Sequence, residues 1–251
     1  MRLLFVSSFL ALLFCTPCAP AQSSDLPDAP QPEVSLRATP RNLLHDQAAI
    51  WTSPLRLRDD NIAVPALVVL ATTVAITADH QDMSHIIAHE ASLKNKADTA
   101  SQGLEGGFIA APAVIYALGW MRHDDHAQET GILGGEAIMD SLAVSETIKI
   151  ISRRERPTVN GAKGKFFQSG VNLDSSFPSN HSIVAWSSAA VVASEYPGIL
   201  TQITAYSLAA GVSVTRVLAQ QHFPSDVLAG SAIGWMIGRY VVHRHHRDSL
   251  D

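Results

Sequence analysis

Six apolar segments set the terms for this chain, at about Val64 to Ala78, Gly107 to Met121, Ile132 to Ile151, His181 to Ser194, Ile199 to Val217 and Ser225 to Val242. They are rich in Ala, Leu, Ile and Val and lack the strict alternation of a half-buried strand, and their polar residues return every three or four positions. That period predicts helices. A chain of 251 residues, 47% of them apolar, can also bury one large core. The expected fold is all-α, a single helical-bundle domain over residues 42–251.

The residues before that domain have a different composition. Met1-Arg2 is followed by an apolar run from Leu3 to Phe14 and by Ala19-Pro20-Ala21, the small-residue spacing of an export signal, so residues 1–21 are expected to be a cleavable signal peptide. Cys15 and Cys18 both fall inside it, which leaves the mature chain without a thiol. Residues 22–41 are rich in Pro, Ser and Asp and poor in large apolar side chains, as in a flexible linker. Beyond them Leu44, Ala48 and Trp51 stand at near-helical spacing before Pro54, which predicts a short amphipathic helix packed on the domain.

Most of the apolar runs are shorter than the roughly 20 residues of a bilayer crossing. The third also carries Glu136, Asp140, Glu146 and Lys149, which would be costly in hydrocarbon. With the export signal, this favours a periplasmic or envelope protein, soluble or membrane-peripheral rather than integral. The formal charge of −5 and the absence of a basic stripe exclude a nucleic-acid partner.

Three segments carry chemistry. Lys149 and Arg156-Pro157 are seven positions apart, a spacing that returns to nearly one face of a helix, and Pro157 predicts that the helix ends near Arg156. There a guanidinium could grip two phosphate oxygens beside a lysine point charge. Phe177-Pro178-Ser179-Asn180-His181-Ser182 precedes an apolar run, so Ser179 is expected to cap a helix whose first N–H groups, at Asn180 and His181, cradle an anion. In the third, Thr215-Arg216 leads to His222, Pro224 fits the first position of the last helix, and Asp226 is placed to reach back to the His222 ring and fix its tautomer.

In order, spacing and residue type the three segments resemble the signature of the type 2 phosphatidic acid phosphatase and vanadium haloperoxidase superfamily. The resemblance implies a helical bundle that hydrolyses phosphate esters through a phosphohistidine, with no metal or other cofactor. It implies His222 as nucleophile, Asp226 as its orienting carboxylate and His181 as acid and then base. Lys149, Arg156, Ser179, Asn180 and Arg216 would bind phosphate. The implied partners are a phosphorylated lipid, an isoprenyl diphosphate or a small monoester. Asn180 stands where the family usually has glycine, and Thr215 where it has serine. A vanadate-dependent haloperoxidase is the alternative within the superfamily, against which the short chain argues. A noncatalytic envelope protein binding lipid or a partner is the alternative outside it.

The remaining polar groups have plainer readings. Asp79, His80, Asp82, His85 and His89 suggest a polar connection between helices rather than a metal site, and His123 to His126 an exposed turn. Glu136, Asp140 and Glu146 are assigned structural roles. Arg153 and Arg154 read as a solvated helix end, and His243 to Arg247 as a frayed terminus or a contact to anionic headgroups.

Overall fold

A computed structural model describes residues 34–56, 62–89, 91–168 and 174–245. The signal peptide and most of the linker expected from the sequence lie outside the described residues. Among the described residues seven α-helices follow one another: α1 Thr39–Thr52, α2 Ala63–His89, α3 Lys94–Arg122, α4 Asp125–Ser152, α5 Asn180–Glu195, α6 Ile199–Leu218 and α7 Pro224–His245. No strand occurs among the described residues, as the apolar periodicity predicted.

The chain order decides where side chains meet. Helices α4 and α6 end, and α3, α5 and α7 begin, at one end of the bundle, where Arg216 of α6 meets Asp98 of α3 and Ser179 N–H donates to the Asp226 carbonyl. Helix α5 is the central element and packs against α3, α4, α6 and α7. Its closest partner is the parallel α7, whose Gly230, Gly234 and Gly238 approach Ser179, Ile183 and Ser187 in register. A Cβ on Gly234 would lie 2.3 Å from the Ile183 carbonyl oxygen, so the two backbones touch only because this stripe has no side chains. Buried hydroxyls tie the same helices together: Ser213 Oγ lies 3.1 Å from Ser182 Oγ and 2.9 Å from Ser231 Oγ, and accepts from Trp186 Nε1 at 3.1 Å.

Four local expectations are corrected. Helices α2 and α3 are 27 and 29 residues long, far beyond their apolar runs, and α2 continues through His80, His85 and His89, where a connection was expected. Both are long and apolar enough to cross a membrane, and only 6% and 11% of their most apolar windows are buried. Helix α1 begins at Thr39, inside the expected linker, and turns its polar side inward: Asn42 and Asp46 are buried, whereas Leu44 and Trp51 are 75% and 45% exposed. Glu136 and Asp140 on α4 explain the reversal, because Asn42 donates to Glu136 Oε1 and Gln47 to Asp140 Oδ1. At the other terminus α7 runs on to a buried His245 rather than fraying at His243. His123 and Asp124 do form the exposed turn, with His123 left-handed at the end of α3 and Asp124 capping α4 through the Ala127 N–H.

Candidate active site

Each predicted residue lies at the end of the bundle defined above. Lys149 is in the last turn of α4 and is buried. The helix stops at Ser152, with Arg153 left-handed, so Arg156 enters from the loop that follows it. There its Nε donates to Asp174 Oδ1 at 2.9 Å and its Nη1 to the Gln221 carbonyl at 3.1 Å. That second bond ties the first motif to the third.

Ser179 caps α5 as the sequence predicts, its hydroxyl accepting from Ser182 N–H at 3.4 Å. Asn180 is the first helical residue and does not adopt positive φ, so an L side chain is accommodated where the family has glycine. Its side chain turns toward α4, accepting from Ser145 Oγ at 2.5 Å and donating to Glu146 Oε1, which leaves only its backbone N–H at the helix end. Thr215 spends its hydroxyl on the Gly211 and Val212 carbonyls of its own helix.

His181 Nε2 lies 2.8 Å from Glu105 Oε2 on α3. Arg216 is buried against the same helix and donates to Asp98 Oδ1 at 2.9 Å and to Ser101 Oγ at 3.0 Å. Burial lowers its pKa, and Asp98 and Glu105 oppose that shift. Lys149 is likewise lowered, first by burial and further by the charge of Arg156, against Glu146 and Asp226. Desolvated cations of this kind attract an arriving anion more strongly than they would in water.

His222 is 2% exposed and sits just before α7, with Pro224 at the first helical position. Its Nδ1 is 2.7 Å from the Ser176 carbonyl oxygen, an acceptor, so Nδ1 carries the proton and Nε2 the lone pair. The expected partner does not make this bond. Asp226 Oδ2 is 3.8 Å from Nδ1, beyond hydrogen-bond reach, and instead accepts from Ser176 Oγ at 2.5 Å and from Phe223 N–H at 2.8 Å. The tautomer that the sequence argument assigned to Asp226 is set directly by a backbone carbonyl, and Asp226 holds the segment that supplies it.

Arg154 is the residue that sequence reasoning missed. It is 1% exposed, donating to Asp226 Oδ1 at 2.5 Å, Asp79 Oδ2 at 2.6 Å, Ser225 Oγ at 2.7 Å and the Gly164 carbonyl at 3.1 Å. Its guanidinium stacks over Phe223 and Phe166, 4.2 and 4.7 Å from their centroids. Asp79 therefore reaches the site from α2, in the stretch expected to be a surface connection. Asp98 and Glu105 were also not anticipated, because nothing local separates them from solvated acids on a helix face.

Burial, with the charges of Arg156 and Arg216, pushes the pKa of His222 down to about 4 against the opposing pull of Asp226. The ring is thus neutral at ordinary pH. Between about 4 and the unfolded value of 6.5 the unfolded chain holds a proton that the folded one does not, so stability falls as pH drops through that window. Reversible unfolding measured from pH 7.5 to 4.5 is expected to show that loss, and a His222→Gln variant to show less of it. An identical slope in the variant would contradict the assignment.

Residues 132–249 match the family model of the PAP2 superfamily, a span that contains Lys149, Arg156, Ser179, His181, Arg216, His222 and Asp226. Residues 132–249 belong to the PAP2 superfamily. No curated protein and no solved structure matches it significantly. PAP2 membership brings phosphatase-type chemistry on phosphorylated substrates, and the all-helical architecture agrees with that family.

Proposed function

We propose that the chain hydrolyses phosphate esters of membrane lipids through a phosphohistidine on His222. The observation that carries this reading is the His222 ring itself: buried, neutral, protonated at Nδ1 by its bond to Ser176, and within the field of both Arg156 and Arg216. Nε2 is then a nucleophile beside groups that suit a phosphoryl oxygen. In the first step Nε2 attacks phosphorus in line as the ester P–O bond breaks, and the leaving oxygen takes a proton from His181. In the second step His181 accepts a proton from water as the water oxygen displaces Nε2, giving inorganic phosphate and free His222. Lys149, Arg156, Arg216 and the N–H groups at the Ser179-capped end of α5 hold the equatorial oxygens through both steps. These cations and dipoles neutralise the charge that develops on phosphorus.

The lipid class rests on the surface. The sequence of α2 has no charged residue from Ala63 to Ala78, and Leu67, Val69 and Leu70 there are 57–66% exposed. On α3 Val114, Trp120 and Met121 are 53–68% exposed, and large apolar side chains exposed together mark a membrane or protein contact. Leu67, Val69 and Leu70 stand nine or more residues before Asp79 on α2, and Val114, Trp120 and Met121 sixteen or more after Asp98 on α3. A membrane-associated enzyme of the envelope, its site held near the lipid headgroups, accounts for both features.

The test is a phosphate-release panel of a phosphatidic acid, an isoprenyl diphosphate and a soluble aryl or sugar phosphate, combined with fractionation of the expressing cells. Turnover of the lipid phosphate well above the soluble esters, with the protein in the membrane fraction, is expected. Release from the soluble esters alone by a protein that stays in the soluble fraction would overturn the lipid reading and keep the phosphatase. No release from any ester would overturn both.

A further inference from the structure

About 20 Å along α4 from Lys149 at 1.5 Å per residue, Asp46 of α1, Glu136 of α4 and His245 of α7 meet in the interior. They are 0%, 0% and 8% exposed, and one ligand atom from each, a carboxylate oxygen or an imidazole nitrogen, lies within 4.8 Å of the other two. Two of the carboxylate oxygens are buried without a hydrogen bond. Glu136 Oε1 accepts from Asn42, but Oε2 has no hydrogen-bond donor and stands 3.4 Å from His245 Nε2. Asp46 Oδ1 pairs with Arg244, and Oδ2 has no donor. Asp140, one turn from Glu136, adds a third buried carboxylate whose Oδ2 is also without a donor.

This is an expensive arrangement for a protein interior, because buried carboxylates need a cation or a full set of donors. Arg244 pairs with Asp46, and among the described residues neither Glu136 nor Asp140 has an arginine or lysine partner. The spacing suggests what is missing. Ligands about 2.0–2.1 Å from a tetrahedral cation lie about 3.4 Å apart, and Glu136 and His245 already stand at 3.4 Å. A charge-assisted hydrogen bond between the same two atoms would be shorter, about 2.7–2.9 Å.

We propose that Asp46, Glu136 and His245 bind one zinc ion, which clamps α1 and the end of α7 onto α4. One imidazole and two carboxylates are a donor set that suits Zn2+, and the carboxylate oxygens also admit Mn2+. The clamp is structural and separate from the chemistry: His245 lies 21 residues along α7 from Pro224, about 30 Å at 1.5 Å per residue. The phosphate site has no share in it. The cation would hold the first and last described helices on the central part of the bundle, a place where the helix packing is otherwise mediated by Asn42, Gln47 and Arg244.

The experiment uses the full chain, purified without chelator and dialysed against micromolar Zn2+ or, separately, Mn2+. Bound metal is counted by elemental analysis, and thermal unfolding is followed with and without added metal. Wild type is expected to retain about one zinc and to gain several degrees in Tm when the ion is present. Glu136→Gln and His245→Gln, nearly isosteric changes outside the phosphate site, should each weaken that zinc binding at least about tenfold and lose the gain in Tm, while still releasing phosphate. Zinc bound instead by surface histidines such as His85 and His89 would survive both substitutions. That result would overturn the proposal, as would a wild-type protein that retains neither metal. If His245→Gln does not fold, Glu136→Gln decides alone, its folding checked by circular dichroism.

Discussion

Replacing His222 with alanine is expected to lower phosphate release by at least about 10³-fold, the scale of loss when a covalent nucleophile is removed and only binding and charge stabilisation are left. The reason is specific to the ring. Nδ1 is committed to the Ser176 carbonyl, so Nε2 has no other proton to lose and no other acceptor role to fill. The neighbouring cations have a different part: Lys149 and Arg216, both lowered by burial and by the charge of Arg156, attract the phosphate oxygens. The measurement is a single-turnover assay with radiolabelled ester, in which wild type accumulates an acid-labile phosphoenzyme and His222→Ala does not. The fold should survive, because His222 precedes α7 and its ring makes one backbone hydrogen bond. Full turnover by a folded His222→Ala protein would remove the phosphohistidine from the mechanism and leave the family membership untouched.

Much of this site is legible from the sequence because it is built on helix ends, and helix ends leave signatures. Ser179 before an apolar run and Pro224 at the start of another locate two N-termini, and the structure caps the first with Ser179 and begins the second at Pro224. What the sequence could not supply is the partner of each group. Asp226, four residues after His222, is the natural choice for the ring, yet the bond goes to the Ser176 carbonyl, and no backbone acceptor of that kind is visible in side-chain order. Arg154 is hidden for a related reason. Between Arg153 and Glu155 it looks like part of a solvated charge run, and only the left-handed turn at Arg153 directs it inward.

The inward face of α1 shows the same limit from the other side. Apolar residues at helical spacing, Leu44 and Trp51, suggest the buried stripe, but the partner surface on α4 carries Glu136 and Asp140, and so the polar stripe is the one that is buried. Amphipathicity gives the two faces of a helix without saying which one the neighbour selects. The lengths of α2 and α3 were hidden differently: polar residues at their ends shorten the apolar run without ending the helix. For membrane association the length and exposure of these helices matter more than the apolar run alone.

The second large effect is expected at Arg154. Replacing it with methionine keeps most of the side-chain volume and leaves Asp79 and Asp226 facing each other without their shared guanidinium. Both carboxylates are almost wholly buried, at 3% and 0% side-chain exposure. Breaking a buried pair by deleting one partner costs about 3–5 kcal/mol, and here one cation serves two acids. For a domain of this size that corresponds to roughly 10 °C in Tm or more, which thermal unfolding of the purified protein will read. Activity should fall with it even below the transition, because Asp226 also holds Ser176 and the N-terminus of α7 around His222. Arg154→Lys separates charge from geometry: it restores one positive charge but cannot donate in several fixed directions at once to Asp79, Asp226, Ser225 and Gly164. Lysine is therefore expected to recover part of the stability and little of the turnover. A methionine variant with wild-type Tm would show that the two carboxylates are compensated by something other than Arg154, and the account of how α2 and α7 are joined would fail with it.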